Sequence, residues 1–146
     1  MNCAAILETG VRPSRVSQYQ GPNEVVVCAT PSVIYAANPR SARVFFRQNP
    51  DGSISYYQMV FQCRIRPGAF EVRPASVPVR PGSRIDPHYE NAEVEFVLRH
   101  PAPARGQPID IFRQDFANNI VCYGVLVRKL DQHPSTLPES AWWVRE

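Results

Sequence analysis

Apolar and polar positions alternate over one long stretch of the chain. From Tyr57 to Ile65 every odd-numbered residue is apolar, whereas three of the four even-numbered residues, Gln58, Gln62 and Arg64, are polar. Successive side chains of a strand point to opposite faces, so this alternation predicts a long strand, Ile54 to Arg66, with one buried face. A turn at residues 49–52 (NPDG) separates it from the shorter run 43–47.

Other apolar runs predict a mainly β domain. Residues 25–28 form a short β-branched run, residues 94–98 alternate in polarity, and residues 70–73 allow a short edge strand. The run 120–130 carries apolar residues on both faces, which predicts a central strand covered from two sides. The segment 67–87 contains five prolines and predicts an extended loop.

Two short helices are predicted near the start of the chain. Asn2 to Thr9 has a capping asparagine, helix-favouring residues and a following glycine. Thr30-Pro31 supplies a cap and a first-turn proline for a helix from Ser32 to Asn38. The sequence of 146 residues therefore predicts one α+β domain over residues 1–130, followed by a tail at 131–146 that contains prolines and Trp142-Trp143.

Composition excludes several functional classes. No apolar run reaches the roughly 20 residues that span a bilayer, and Met1 to Gly10 lacks the pattern of a secretory signal. Fifteen of the 16 basic residues are arginine, but they are spread along the chain, so a nucleic-acid partner is not favoured. Cys28, Cys63 and Cys122 lie in apolar runs without zinc-binding spacing, which favours buried, reduced thiols in an intracellular compartment.

The candidate chemistry is confined to a few side chains. Signatures of hydrolase elbows, phosphate loops and dinucleotide sites do not occur, and His88 and His100 are interpreted as loop histidines without a metal. Alternation puts Glu93 and Glu95 on one strand face, where they either share a site or simply face solvent. Arg64 or Arg66, on the polar face of the long strand, is placed to pair with one of these carboxylates across a shared sheet, as part of a site or as a purely structural pair.

Several segments in order resemble the ADP-ribosyltransferase-like family of the poly-ADP-ribose polymerase type. The segment at 57–68 (YQMVFQCRIRPG) resembles the long strand of that family and is the most specific match. The other matching segments are 2–10 (NCAAILETG), 27–42 (VCATPSVIYAANPRSA), 91–98 (NAEVEFVL) and 120–130 (IVCYGVLVRKL).

The resemblance implies a bent, split antiparallel sheet with NAD in its cleft. It implies that Glu95 matches the glutamate that polarises the reacting ribose, and that Tyr35, Ser32, Gln62 and Arg64 contact the cofactor. In this arrangement the strand that carries Gln62 and Arg64 shares a sheet with the strand that carries Glu95.

The chain also departs from the family pattern. The strand with the family histidine precedes the position of Asn2, and Cys28 and Ser41 stand where relatives have tyrosines. Because catalytic groups act as a unit, these departures favour an inactive domain that binds no cofactor and serves as a binding or structural subunit. Protein partners are then expected at the proline-rich loops and at Trp142 and Trp143. The alternative is an active NAD-dependent mono-ADP-ribosyltransferase that uses Glu95.

Overall fold

A computed structural model describes residues 24–102 and 118–137. These ranges contain mostly antiparallel strands and little helix, as expected for a mainly β domain of the broad α+β class. The elements are β1 (Glu24–Ala29), α1 (Val33–Ala36), β2 (Val44–Gln48), β3 (Ile54–Ile65), β4 (Glu71–Arg73), a 3-10 helix (Asn91–Glu93), β5 (Glu95–Pro101), β6 (Ile120–Leu130) and a second 3-10 helix (Pro134–Thr136). The predicted helix at Asn2 to Thr9 and the pair Trp142-Trp143 lie outside the described residues.

The strands form two three-stranded sheets. Their orders are β1-β5-β4 and β2-β3-β6, and all pairs are antiparallel. The prediction that Arg64 and Glu95 share a sheet is therefore wrong. Both edges of β3 are taken by β2 and β6, and both edges of β5 by β1 and β4, so neither strand has an edge left for the other.

The long strand β3 confirms the predicted strand but not its single buried face. Near its start the buried side chains are Ser55 and the even-numbered Gln58 and Val60, and the Gln58 side-chain amide donates to the Ala37 carbonyl at 2.9 Å. Near its end the odd-numbered Cys63 and Ile65 pack against a different cluster. The register with β6 shifts between Gln62 and Cys63, where the buried side of β3 changes.

The position of β6 also differs from the prediction. It was expected to lie centrally, but in the described part of the sheet it is an edge strand paired only with β3. Its apolar side chains Val121, Tyr123 and Val127 are 54%, 59% and 61% exposed. The apolar residues on both faces of this strand therefore do not reflect burial on both faces.

Two apolar clusters hold the fold together. The first joins α1 and its following loop to β3 and to the residues before β5, and its buried members are Tyr35, Ala37, Ala42, Val60, Ile85 and Val94. The second joins β1 and β5 to the adjacent ends of β3 and β6, and its buried members are Val25, Val27, Leu98 and Ile120. The second cluster is thus the contact between the two sheets.

The predicted turn before β3 is confirmed, whereas the predicted cap of α1 is wrong. Gly52 adopts a φ of 82°, which fits the turn predicted before β3, because glycine has no Cβ to oppose a positive φ. The cap of α1 is Ser32, whose hydroxyl accepts a hydrogen bond from the Tyr35 backbone N–H at 2.9 Å. Thr30, the predicted cap, instead accepts from the Ser32 N–H at 3.1 Å.

We expect Leu98→Ala to lower the free energy of unfolding by about 2–5 kcal/mol, because Leu98 is 2% exposed in the cluster between the sheets. Val127→Ala, at an exposed position of a strand, is the control and should change stability by less than about 0.5 kcal/mol. Urea denaturation measures both. Equal effects of the two substitutions would contradict the assigned inter-sheet contact.

Candidate functional site

Glu95 is the first residue of β5, and its side chain is buried. It is only 4% exposed, so the interpretation that it faces solvent is wrong. Glu93 does not share its strand face, because Glu93 belongs to the exposed 3-10 helix that precedes β5. Val94 between them has helical backbone angles (φ −92°, ψ −10°), which ends the strand alternation before it reaches Glu93.

Tyr35 lies in α1 and reaches the Glu95 carboxylate. Its hydroxyl donates a hydrogen bond to Glu95 Oε1, and the residue is 6% exposed within the first apolar cluster. Burial, together with the hydrogen bond to the negatively charged Glu95, raises the pKa of the Tyr35 hydroxyl above its ordinary value. The ring expected to stack on a cofactor is therefore packed inside the protein.

Ser76, from the proline-rich segment, completes the arrangement. Its hydroxyl donates to Glu95 Oε1, and its backbone N–H lies 2.9 Å from both Glu95 Oε1 and the Tyr35 hydroxyl. Val77 and Val79 pack against the first cluster on either side of exposed Pro78, which holds this segment against the body of the domain. No sequence motif points to Ser76, because a serine among prolines has no distinguishing pattern.

These contacts define the joint formed by Glu95, Tyr35 and Ser76. Three donors from the described residues Tyr35 and Ser76 converge on one carboxylate oxygen, two of them hydroxyls and one a backbone amide. Hydrogen bonds to an ionised acceptor are stronger than those between neutral groups, and they offset the loss of hydration that burial causes. The joint is therefore suited to holding a buried negative charge and fastening three segments of the chain together.

Ser32 lies beside the joint but belongs to a second polar pair. Its hydroxyl donates to Asp86 Oδ2 at 2.6 Å, and the two residues are 0% and 1% exposed. The other Asp86 oxygen accepts from the His88 backbone N–H at 2.9 Å. Asp86 thus fastens the start of α1 to the loop before β5.

The remaining predicted residues, Gln62 and Arg64, are not brought to Glu95. They lie in the other sheet, where the Gln62 side chain lies against Gly124 and a Cβ on that glycine would be 2.6 Å from Gln62 Oε1. The Arg64 guanidinium lies over the Tyr123 ring, 5.3 Å from its centroid. The predicted pairing of Arg64 with Glu93 or Glu95 across a common sheet is therefore wrong.

A surface groove of about 560 Å³ lies at one end of the domain. Its lining includes the bend at residues 66–71 after β3, together with Val97, Arg99 and Asn119, and it includes none of the predicted site residues. Arg99 pairs with Glu24 at 2.8 Å and with Glu71 at 3.2 Å. The pKa of Arg99 is raised by Glu24 and Glu71, and Arg73 and Arg99 lower the pKa of Glu71. Two carboxylates thus offset the charge of Arg99.

The thiols differ from the prediction of three buried cysteines. Cys28 is exposed, whereas Cys63 and Cys122 are half-buried and occupy opposite positions on β3 and β6. Among the residues that the structure describes, no three His, Cys, Asp or Glu side chains are grouped as a metal site would require.

No family model, curated protein or solved structure matches this chain. Across residues 24–102 and 118–137, no helix has the length and apolar character needed to cross a membrane.

We expect Tyr35→Phe to reduce the free energy of unfolding by about 1.5–3 kcal/mol, because the substitution removes a hydrogen-bond donor from a buried carboxylate. The same change at Tyr123, which is 59% exposed, is the matched control and should cost less than about 0.5 kcal/mol. Chemical denaturation at neutral pH measures both variants.

The pH dependence of stability tests whether the Tyr35 hydroxyl causes the difference between wild type and Tyr35→Phe. Unfolded tyrosine ionises near its ordinary pKa of 10.0, whereas the pKa of folded Tyr35 is raised. The stability that Tyr35 contributes is therefore complete below about pH 10 and declines as the pH rises beyond it. The advantage of wild type over Tyr35→Phe should shrink in that range. An advantage that grows with pH would contradict the burial of a neutral hydroxyl.

Proposed function

We propose that this domain is a catalytically inactive, ADP-ribosyltransferase-like module that acts as a protein-binding or structural subunit. One observation carries the proposal: Glu95 is buried, and its Oε1 accepts hydrogen bonds from Tyr35 and Ser76. A catalytic carboxylate has to reach the reacting atoms of a substrate. In this chain the corresponding oxygen is instead committed to hydrogen bonds within the protein.

The other residues expected to contact NAD support the same proposal. Tyr35 is buried by side chains of the first apolar cluster, and Ser32 is engaged by Asp86. Gln62 and Arg64 belong to a different sheet from Glu95. Catalysis and cofactor binding both need groups held in one productive geometry, and these residues are spread over separate environments.

Two surfaces favour a protein partner. The described edge strand β6 exposes Val121, Tyr123 and Val127, and exposed apolar groups of this kind are typical of interaction surfaces. The five prolines of the segment 67–87 are all exposed as well. An extended partner strand added to β6 would gain backbone hydrogen bonds and bury these side chains.

An active NAD-dependent mono-ADP-ribosyltransferase is the second candidate, and one observation favours it. Tyr35 and Glu95, two residues that the family resemblance singles out, are in direct contact. This activity would require Ser76 and its neighbours to move away from Glu95, because Ser76 supplies two of the three donors to the carboxylate oxygen.

We expect the purified protein to release no nicotinamide from NAD above background and to transfer no labelled ADP-ribose. Glu95→Gln should behave identically in this assay, but it should unfold at a lower denaturant concentration, because the neutral amide weakens the hydrogen bonds at the joint. Wild-type activity that is lost in a folded Glu95→Gln variant would establish the enzyme and overturn the proposal.

The full chain is expressed with an affinity tag in the cells from which it comes, cross-linked there and purified. We expect Tyr123→Asp to reduce the amount of partner protein purified with it at least tenfold. A charge at this exposed position opposes burial against another protein. Phe46→Asp is the matched control, because Phe46 is also aromatic and is 75% exposed on β2, at the opposite edge of the described sheet. This substitution should leave the amount of purified partner protein unchanged. Equal recovery with both variants would contradict a binding surface on β6.

A further inference from the structure

Cys63 and Cys122 lie directly opposite each other on β3 and β6. They are paired positions in the antiparallel register, at the point where that register shifts. Opposed residues of antiparallel strands have Cα atoms about 4.5–5.5 Å apart, and disulfides form between Cα atoms about 4.4–6.8 Å apart. The backbone thus holds the two cysteines at a separation suited to a disulfide, although 58 residues lie between them in the sequence.

The two thiols also interact with each other. Burial, together with the charge of the adjacent Cys122 and a hydrogen bond to it, raises the pKa of the Cys63 thiol to about 12. Cys122 Sγ donates to the Gly124 carbonyl at 3.7 Å. On its other side Cys63 packs against the cluster between the sheets, whose buried members Val25, Val27, Leu98 and Ile120 are all apolar.

We propose that Cys63 and Cys122 form an oxidation site, at which a peroxide converts the two thiols into a reversible cross-strand disulfide. The proposal rests on the paired positions of the two cysteines and is independent of the proposed function. Cys28, which is exposed on β1 of the other sheet, is not part of the site.

The chemistry proceeds in two balanced steps. The Cys122 thiolate attacks hydrogen peroxide, so that an S–O bond forms, the O–O bond breaks, and the departing hydroxide takes up a proton to become water. Cys63 then attacks the sulfenic sulfur and loses its proton, so that the S–S bond forms and the S–O bond breaks, which releases a second water. Overall, two thiols lose two electrons and two protons, and one peroxide is reduced to two waters.

The first step assists the second. A Cys63 thiol with a pKa of about 12 supplies little thiolate at neutral pH, which makes it a poor initial nucleophile. Once Cys122 is a sulfenic acid, its sulfur is an electrophile that Cys63 can attack. Cys122 is therefore assigned as the peroxide-reactive thiol and Cys63 as the resolving thiol.

The disulfide would fasten the central strand of the sheet to the described edge strand. It would close a loop from residue 63 to residue 122, which restricts the unfolded chain. The bond would lie beside the exposed Val121 and Tyr123. Oxidation would thus hold this part of β6 in place on β3.

The test uses the full chain with Cys3→Ser and Cys28→Ser, so that only the opposed pair remains among the four cysteines. After treatment with hydrogen peroxide, intact-mass measurement should show the loss of two hydrogen atoms, and dithiothreitol should restore them. Digestion without reduction should yield one peptide pair joined through Cys63 and Cys122. The thermal midpoint of the oxidised protein should rise by roughly 10 °C or more.

Single variants in this background separate the roles of the two thiols. Cys63→Ser should accumulate a sulfenic acid at Cys122 that dimedone traps, whereas Cys122→Ser should react with peroxide at least tenfold more slowly. Oxygen addition without a cross-link in the intact pair would overturn the proposal. So would cross-links that form only between two molecules, or a pair that remains fully reduced while exposed Cys28 is oxidised in the wild-type protein.

Discussion

The burial of the Glu95 carboxylate is the constraint on which the arrangement of the surrounding elements depends. An ionised carboxylate removed from water costs several kcal/mol unless hydrogen-bond donors replace its hydration. Here the donors come from Tyr35 in α1 and Ser76 in the proline-rich segment, so both must lie against the start of β5. Asp86 imposes a similar requirement through Ser32. Two buried acids therefore determine where α1 and the loops before β5 pack.

Features encoded by neighbouring residues were predictable from the sequence. The strand at β3 followed from its alternation, the turn before it from the glycine at position 52, and the presence of α1 from the polar residues around Pro31, although its cap is Ser32 and not Thr30. Each of these signals depends on a few adjacent residues.

Features that depend on contacts between residues far apart in the sequence were not predictable in the same way. Alternation shows which side chains of β3 share a face, but not which strands take its two edges or where its buried face changes. Gln62 and Arg64 therefore lie away from Glu95, and the apolar β6 is found at an edge of the sheet in the described part of the chain. Ser76 acquires its role only because Val77 and Val79 pack beside it. A glutamate on a strand is catalytic or structural according to such neighbours, which its own sequence context does not specify.

The edges of the two sheets differ in length. In the described chain β4 is an edge of three residues followed by Pro74, and proline has no N–H with which to continue a ladder. The β6 edge runs for eleven residues and contains no proline. A misfolded or crowded molecule would therefore aggregate by adding strands at β6 rather than at β4. The proposed binding surface and the aggregation hazard are the same row of backbone groups, so occupancy of that row by a partner would also protect the protein from aggregation.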